Sequence, residues 1–340
     1  MKARLDYGSQ EMAETMRAAV YQRYGPARDV LRVTELERPE PGPGEVRVRM
    51  RISAVNPTDW RVRSGSQSGG DPPFPYLVPN QDGAGEIDAV GEGVDAGRVG
   101  TRVWVWFAAH GRQHGSAAQW VCLPERQAVA LPARASFELG ASLGIPALTA
   151  HHCLFRDGAI DGRAVLVAGG AGAVGHFAIE LGRRGGAHVI ATVSSDRKAD
   201  LARHAGAETV VNYRAGDCAA AIRAAAPEGV DRIVEVAPVA NAALDAEVIA
   251  PNGVIAIYAA DGDLATPVRP LMVRNVALRF VLVYNVPAEW LARAVDDVSA
   301  ALATDDLSEL PAHRFALDDI AAAHEAVESG VVGKVLVDID

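Results

Sequence analysis

The feature that most constrains this chain is the stretch VLVAGGAGAVGHFAIELG at residues 165–182. An apolar run meets a cluster of glycines, and the apolar residues after the cluster recur with a different period. Gly170, Gly172 and Gly175 satisfy the spacing GxGxxG. The pattern predicts a β-strand, a tight turn and a helix in direct succession. In that arrangement Gly170 makes the turn, Gly172 lets the backbone approach a ligand, and Gly175 lets the helix pack closely on the strand.

The residues after the glycines indicate a helix whose first turn faces a ligand. Val174, Phe177, Ala178 and Leu181 have the spacing of one helix face. The first N–H groups of a helix have no acceptor within it, so such a turn is typical of a dinucleotide pyrophosphate site. The predicted contacts are Gly170, Ala171, Gly172, Ala173 and Val174. The competing interpretation is a glycine turn that serves packing alone, and the strands that follow favour the nucleotide site.

Further strand-like runs follow, and helical spacers separate most of them, which is typical of a doubly wound parallel sheet. These candidate strands are residues 188–193, 209–213, 232–236, 253–259 and 276–284. Before residue 138 the pattern is different: short β-like runs and frequent glycines, as in GAGEIDAVGEGVDAGRVG, indicate a small, sharply bent barrel. The tail has a helix-like segment at 288–303 and a final strand at 334–339.

The end of the second strand of this sheet selects the cofactor. An NAD site usually places an acid there, about 20 residues after the glycines, to hold the ribose 2′-OH. Here Ser194 and Ser195 stand at that point, followed by Asp196, Arg197 and Lys198. Small hydroxyls remove the carboxylate that would repel a 2′-phosphate, and the two cations can pair with it, so the sequence favours NADPH. Two alternatives stay open: Asp196 as the ribose acid after a register shift, and cations that are only solvated.

Composition sets broader limits. The 340 residues allow two domains of about 150 residues each. The net charge of −10 argues against a nucleic-acid partner, and no apolar stretch approaches the roughly 20 residues needed to cross a membrane. The cysteines are few, odd in number and far apart, which favours a reducing cytoplasm. Residues 1–15 are polar and are expected to form a flexible extension.

Several motifs, taken in order, resemble the medium-chain dehydrogenase/reductase superfamily, and within it the zinc-free, zeta-crystallin-like quinone oxidoreductases. They include MRAAVYQRYGPARDVLRV, PGPGEVRVRMRISAVNPTDWRVRSG, AGGAGAVG and the closing GKVLV. The resemblance implies an α/β protein with a GroES-like β-barrel catalytic domain and an inserted Rossmann NADPH-binding domain. The catalytic domain would comprise residues 16–137 and 288–340, and the Rossmann domain residues 138–287. The active site would lie in the cleft between them, and the strand at 276–286 would pair across a homodimer.

The resemblance also implies roles for individual residues. Tyr213 would lie near the adenosine 2′-phosphate, with Lys198 as the cation that pairs with it. Lys334, in the GK motif, would approach the cofactor. Asn56, in NPTD, matches the asparagine that faces the nicotinamide and the substrate in the quinone oxidoreductases.

The sequence predicts no zinc site. The positions that match the zinc ligands of the superfamily's alcohol dehydrogenases are Asn56, Gln81 and Ile145. Carboxamides are poor zinc ligands and isoleucine is none. Asp82 is a single carboxylate beside them, and one ligand does not hold a metal.

Without a metal ion as Lewis acid, the reaction that the sequence favours is hydride reduction of an electron-poor acceptor such as a quinone, an enone or an enal. Asn56 would place or polarise the acceptor carbonyl. The quinone oxidoreductases often read NxxDxYxRSG, whereas this chain reads NPTDWRVRSG, so Arg61 stands at the tyrosine position. Arg61 is the second catalytic candidate, and a solvated place on the barrel is its alternative.

Three other functions compete with this interpretation. Gly140, Ser142 and Gly144 match the GxSxG of hydrolases, but no buried strand precedes Ser142, so the match is interpreted as chance. An enoyl-thioester or alkenone reductase is the alternative within the enzymes. A non-catalytic NADPH-binding protein would carry the same binding motifs.

Overall fold

The computed structural model describes residues 14–66, 70–260 and 262–340. Most of the predicted N-terminal extension therefore lies outside the described residues. Its last residue, Thr15, already pairs with Glu37 in a two-stranded sheet.

The first part of the chain is β-rich, as its short runs predict. Its elements are β1 (Thr15–Val20), α1 (Ala27–Val30), β2 (Arg32–Glu37), β3 (Glu45–Val55), α2 (Pro57–Ser64), β4 (Asp82–Val90), β5 (Arg102–Val105), β6 (Trp120–Pro124), β7 (Ala128–Ala130) and the long helix α3 (Phe137–Phe155). Within the described part of the chain, neither α3 nor any other helix combines the length and the apolar character needed to span a membrane.

Strands and helices then alternate, and the chain ends with a return to the first sheet. The alternating elements are β8 (Ala164–Val167), α4 (Ala173–Arg184), β9 (His188–Val193), α5 (Asp196–His204), β10 (Thr209–Asn212), α6 (Cys218–Ala225), β11 (Val230–Glu235), α7 (Pro238–Val248), β12 (Ile249–Ile257), α8 (Val268–Met272), β13 (Ala277–Phe280) and α9 (Ala288–Ala303). The returning elements are β14 (Ala312–Ala316), α10 (Ile320–Glu328) and β15 (Lys334–Asp338).

The β-rich unit is built around the long strand β3. One side of β3 pairs with β4 along its length, while its other side pairs first with β6 and then with β15. Register shifts in the β3–β4 pairing bend the strand, as closing a small barrel requires. Gly83 and Gly85 on β4 are needed there, because a Cβ at either position would collide with Met50 or with the Arg49 carbonyl oxygen on β3.

The alternating segment forms a parallel sheet in the order β10-β9-β8-β11-β12-β13. This is the doubly wound order 3-2-1-4-5-6, so the predicted α/β fold is confirmed. The strand β8 at its centre is apolar throughout, and Val165, Leu166 and Val167 are all buried, as expected for a strand covered by helices on both faces. From β8 the chain first adds β9 and β10 on one side and then β11, β12 and β13 on the other. Ligands bind in such folds at the point between β8 and β11, where the strand order changes direction.

The helix α9 was predicted to belong to the catalytic unit (288–340), and its buried residues are Ala294, Val298, Ala301 and Leu302. They lie in a hydrophobic core that contains residues of β8, β9 and α3 and also Trp104 and Trp106 of the barrel. Because this core spans both units, the predicted domain boundary stays a prediction.

Candidate active site

A tight turn joins β8 to α4 at the carboxyl edge of the parallel sheet. Its left-handed residue is Gly169, with φ +70°, and the Gly172 N–H donates to the Gly169 carbonyl oxygen at 2.9 Å. A Cβ on Gly170 would lie 2.8 Å from the Cβ of Ala191 on β9, so Gly170 is required for close packing. The turn was predicted at Gly170, and the residue with positive φ is the one before it.

The N-terminus of α4 is open to a ligand. Gly172 is the N-cap, and a Cβ there would meet nothing within 4 Å except the Gly169 oxygen at 3.4 Å. Gly175 has no such room, because its Cβ would collide with the same oxygen. The unpaired N–H groups of the first turn and the positive end of the helix dipole fit a pyrophosphate. The predicted contacts in this turn are Gly170, Ala171, Gly172, Ala173 and Val174.

The residues predicted for the adenosine 2′-phosphate come together beyond β9 and β10. Ser194 directly follows β9, and Ser195 caps α5, its Oγ accepting a hydrogen bond from the Lys198 N–H at 3.4 Å. Tyr213 follows β10, and its N–H donates to the Val193 carbonyl oxygen at 3.0 Å. Because β9 and β10 are parallel neighbours, these residues border the same edge of the sheet.

Further charges line this edge. Arg197 and Asp196 are exposed in the first turn of α5. Sequence reasoning missed Arg214, which follows Tyr213 and is exposed with its N–H on Asn212 Oδ1 at 3.1 Å. With Lys198, the edge has three cations and one acid, a balance that suits a phosphate dianion.

Asn56 lies at the centre of a buried hydrogen-bond network. It is the N-cap of α2, and its backbone N–H donates to Asp59 Oδ2 at 2.7 Å. Its side-chain Nδ2 donates to Asp82 Oδ2 at 2.7 Å, while its Oδ1 accepts from Lys334 Nζ at 2.6 Å. Asn56 is 1% exposed and Lys334 3%, so water does not compete for these bonds.

Asp82, predicted only as a single carboxylate that holds no metal, connects this network to α3. Its Oδ2 also accepts the Ile145 N–H at 2.9 Å, and Gly144 is a glycine because any Cβ would collide with Oδ1. Asn56 and Ile145, two of the positions matched to zinc ligands, therefore both contact Asp82. Asp82 Oδ1 and Gln81 Oε1 are buried acceptors without a donor among the described residues. Oδ1 is packed against Gly144, whereas Gln81 also lines a cavity, so a ligand N–H or O–H group fits beside Gln81.

Burial sets the charges of this network. It raises the pKa of Asp59 to about 8 and that of Asp82 to about 6, while the Lys334 ammonium acts in the opposite direction on both carboxyls. Burial also lowers the pKa of Lys334, and the two carboxylates oppose that shift. Lys334 was predicted to approach the cofactor; the structure places its ammonium on the Asn56 amide.

Arg61, the second catalytic candidate, lies further along α2. Its guanidinium carbon is 5.6 Å from the centre of the Trp60 ring, and the residue is half-buried. Arg61 lies five positions after Asn56, which puts the two side chains on different sides of α2. The structure does not bring Arg61 into the Asn56 network, and its role stays a prediction.

An aromatic cluster joins the two domains beside α2. Tyr284, in the short turn after β13, has its ring centre 4.6 Å from those of both Phe107 and His110. Its hydroxyl donates to Thr58 Oγ1 at 3.3 Å, across the cleft. Sequence reasoning missed Tyr284 because the residue lies within a predicted strand, whereas β13 ends four residues earlier.

A cavity of about 220 Å³ lies on the barrel side of α2. Aromatic and apolar side chains form most of its wall, and Asp59, Gln81 and His110 supply polar groups. The aromatic residues are Tyr21, Tyr24 and Phe74. Such a cavity accepts a small, flat and mostly apolar molecule.

Other candidate chemistries find no matching geometry. Ser142 is buried inside α3 and donates to the Glu138 carbonyl oxygen at 2.7 Å, so GxSxG here is not the strand–turn–helix of a hydrolase. In the described ranges, no three His, Cys, Asp or Glu residues are grouped so that they could hold a metal ion.

A doubly wound domain with an open helix N-terminus, joined across a cleft to a barrel that holds a buried amide, defines a two-domain nucleotide-dependent oxidoreductase. Comparison with known proteins agrees. Residues 42–133 match the family described as alcohol dehydrogenase GroES-like domain, and residues 173–300 match zinc-binding dehydrogenase. The quinone oxidoreductase of Rattus norvegicus is 28% identical over 302 residues, which is 88% of this chain and 90% of the relative.

Two solved structures have the same architecture. A mycobacterial protein complexed with NADPH is 26% identical, with a TM-score of 0.80 over 95% of this chain and 99% of the other. An NAD-dependent alcohol dehydrogenase is 28% identical, with a TM-score of 0.86 over 96% of this chain and 100% of the other. This chain belongs to the medium-chain dehydrogenase/reductase superfamily, in its quinone oxidoreductase branch. The predicted family and the prediction of an oxidoreductase are confirmed.

Proposed function

We propose that this oxidoreductase transfers hydride from NADPH to a quinone or another conjugated carbonyl compound, without zinc. The observation that carries the proposal is the Lys334–Asn56–Asp82 network. It holds a carboxamide in a fixed orientation where the zinc enzymes of the superfamily place a ligand. A carboxamide donates hydrogen bonds well and binds zinc poorly.

The edge beyond β9 supports NADPH as the cofactor. Ser194 and Ser195 stand where an NAD site places an acid, and the flanking side chains of Lys198 and Tyr213 suit a 2′-phosphate. The mycobacterial structure is a complex with NADPH, whereas the alcohol dehydrogenase is described as NAD-dependent. The fold is common to both proteins, so the preference for NADPH over NADH depends on the residues at this edge.

When bound, NADPH supplies the hydride. The chain's own residues place the acceptor and stabilise the charge that develops on its carbonyl oxygen. One Asn56 Nδ2 hydrogen is held by Asp82, and we propose that the second is donated to that oxygen. Lys334 keeps the amide from rotating, because Oδ1 and not Nδ2 must face the ammonium.

We propose that the cavity beside α2 receives the apolar part of the acceptor. Asp59 in its wall belongs to the Asn56 network, and Tyr21, Tyr24 and Phe74 give it aromatic sides. A quinone of one or two rings suits these walls.

We also propose a homodimer in the cytoplasm. The edge strand β13 and the adjacent α8 expose large apolar side chains, and pairing with a second copy would cover this edge. They are Val268, Met272, Val273, Phe280 and Leu282. The three cysteines are free thiols, as expected in a reducing compartment.

The test is cofactor oxidation by the purified protein, with NADPH and NADH side by side over quinones, enones and enals. The proposal expects turnover with NADPH, a preference for quinones, and the same rate after treatment with EDTA. Stoichiometric zinc by mass spectrometry together with loss of turnover after chelation would contradict the zinc-free mechanism. Asn56→Ala should lower kcat/KM, and a change below about twofold would reject its role.

A further inference from the structure

The helix α2 lacks the aromatic hydroxyl that its position in the family pattern suggests, since Arg61 stands there. The structure brings another phenol to the same helix from the opposite domain. Tyr284 reaches across the cleft, and its hydroxyl meets Thr58, two residues after Asn56.

The Tyr284 ring is held firmly while its hydroxyl is held loosely. The ring is stacked on His110, with ring centres 4.6 Å apart and planes at 21°, and it also contacts Phe107, whose ring centre is 5.8 Å from that of His110. The hydroxyl bond to Thr58 measures 3.3 Å, well beyond the roughly 2.7–2.8 Å typical of hydroxyl pairs. A ligand oxygen in the cleft can therefore take over this donor at little cost.

The surroundings of Tyr284 keep it a donor. Burial, followed by the negative charges of Asp59 and Asp82, raises the pKa of Tyr284 well above its ordinary value. The phenol therefore stays protonated at neutral pH.

We propose that Tyr284 is a catalytic residue whose hydroxyl donates a hydrogen bond to the carbonyl oxygen of the acceptor, together with Asn56 Nδ2. The inference rests on the proposed function. Hydride from the nicotinamide adds to the acceptor with its electron pair, NADPH is oxidised to NADP⁺, and negative charge moves to the carbonyl oxygen. Tyr284 stabilises that charge and keeps its own proton, and the proton that completes the reduced product comes from water.

The arrangement makes the donor pair depend on both domains. Asn56 belongs to the barrel unit, whereas Tyr284 follows the edge strand of the parallel sheet. An acceptor between them is therefore held by one donor from each side of the cleft.

The experiment compares Tyr284→Phe with Thr58→Val, using 1,4-naphthoquinone as acceptor. Tyr284→Phe keeps the ring stack and removes only the hydroxyl; Thr58→Val removes the hydroxyl's resting partner and leaves the phenol in place. We expect Tyr284→Phe to lower kcat/KM by about 10- to 100-fold with an unchanged Kd for NADPH. Thr58→Val should stay within about twofold of wild type.

A second readout needs no turnover. Quenching of tryptophan fluorescence gives the Kd of naphthoquinone for the cofactor-free protein, which Tyr284→Phe should raise by about 2- to 10-fold. If Tyr284→Phe matches wild type in both measurements, or if Thr58→Val reproduces its loss, the hydroxyl is structural and the inference is wrong. A wild-type protein that turns over no quinone, enone or enal would instead overturn the proposed function, and this inference with it.

Discussion

Lys334 donates a hydrogen bond from its buried ammonium to Asn56 Oδ1 at 2.6 Å, and so links the last strand of the chain to the first turn of α2. Because Oδ1 accepts from the lysine, Nδ2 faces Asp82, and the direction of the remaining N–H is settled. A side chain 278 residues away in sequence thus orients the group proposed to contact the acceptor.

Removing the Lys334 charge should damage both activity and stability. Lys334→Met frees the Asn56 amide to rotate and leaves Asp82 without its cation in a buried site. We expect kcat/KM to fall about 10- to 100-fold and the free energy of unfolding to fall by about 3 kcal/mol. Steady-state kinetics and urea unfolding measure the two effects.

The double variant Lys334→Met with Asp82→Asn separates these effects. It removes the unpaired carboxylate, so most of the lost stability should return, while activity stays low because the amide is still not oriented. Full recovery of kcat/KM in the double variant would show that Lys334 serves only charge balance.

An acid at the end of β9 should reverse the cofactor preference. Ser194→Asp places a carboxylate beside the expected 2′-phosphate, where it repels NADPH and can accept the ribose 2′-OH of NADH. We expect the Kd of NADPH to rise about 10- to 100-fold and that of NADH to fall, measured by calorimetric titration. The control is Arg203→Ala, which removes a cation from the last turn of α5, the helix that follows Ser194 and Ser195. It should leave the Kd of NADPH and that of NADH unchanged.

The raised pKa of Asp59 makes stability fall as the pH rises. The folded protein holds a proton on Asp59 up to about pH 8, whereas the unfolded chain releases it near the ordinary value of 3.8. The native state therefore binds more protons in this range, and its stability decreases as the pH rises through the folded pKa. Above about pH 7 the histidines, whose ordinary pKa is near 6.5, no longer make the stability increase with pH.

Urea unfolding between about pH 7 and about pH 8.5 checks this sign. Wild type should lose stability across the interval, and Asp59→Asn should lose less. Burial raises the pKa of Asp245 to about 8 as well, so Asp245→Asn should remove a further part of the slope. A wild-type slope that Asp59→Asn leaves unaltered would place the ionisation elsewhere.

The sequence predicted the elements whose signals are local. The glycine spacing and the helical period after it located the β8–α4 turn, and the segment predicted as helical over 288–303 is α9, with the same bounds. Even there the conformation of the turn was displaced by one residue: Gly169 has the left-handed φ of +70°, whereas Gly170 is required by its packing against Ala191.

The centre of the site could not be predicted in the same way. Asp82 meets Asn56 and Ile145 across 26 and 63 residues of sequence, and no single-sequence pattern records such pairs. Tyr284 was not recognised as a site residue because it and its apolar neighbours predict a strand up to residue 284. In the structure β13 ends at Phe280, and the turn that follows carries the phenol to the other domain.

The exposed edge of the parallel sheet gives the last prediction. Phe280, on the edge strand β13, is 73% exposed, and Leu282 beside it is 57% exposed. An apolar edge of this kind is a liability that pairing with a second copy removes. Light scattering at micromolar concentration should give twice the mass of the chain for wild type, and the mass of one chain for Phe280→Asp. Val99→Asp, at an exposed valine on the barrel, should remain a dimer, and a Phe280→Asp protein that also remains a dimer would exclude this edge as the interface.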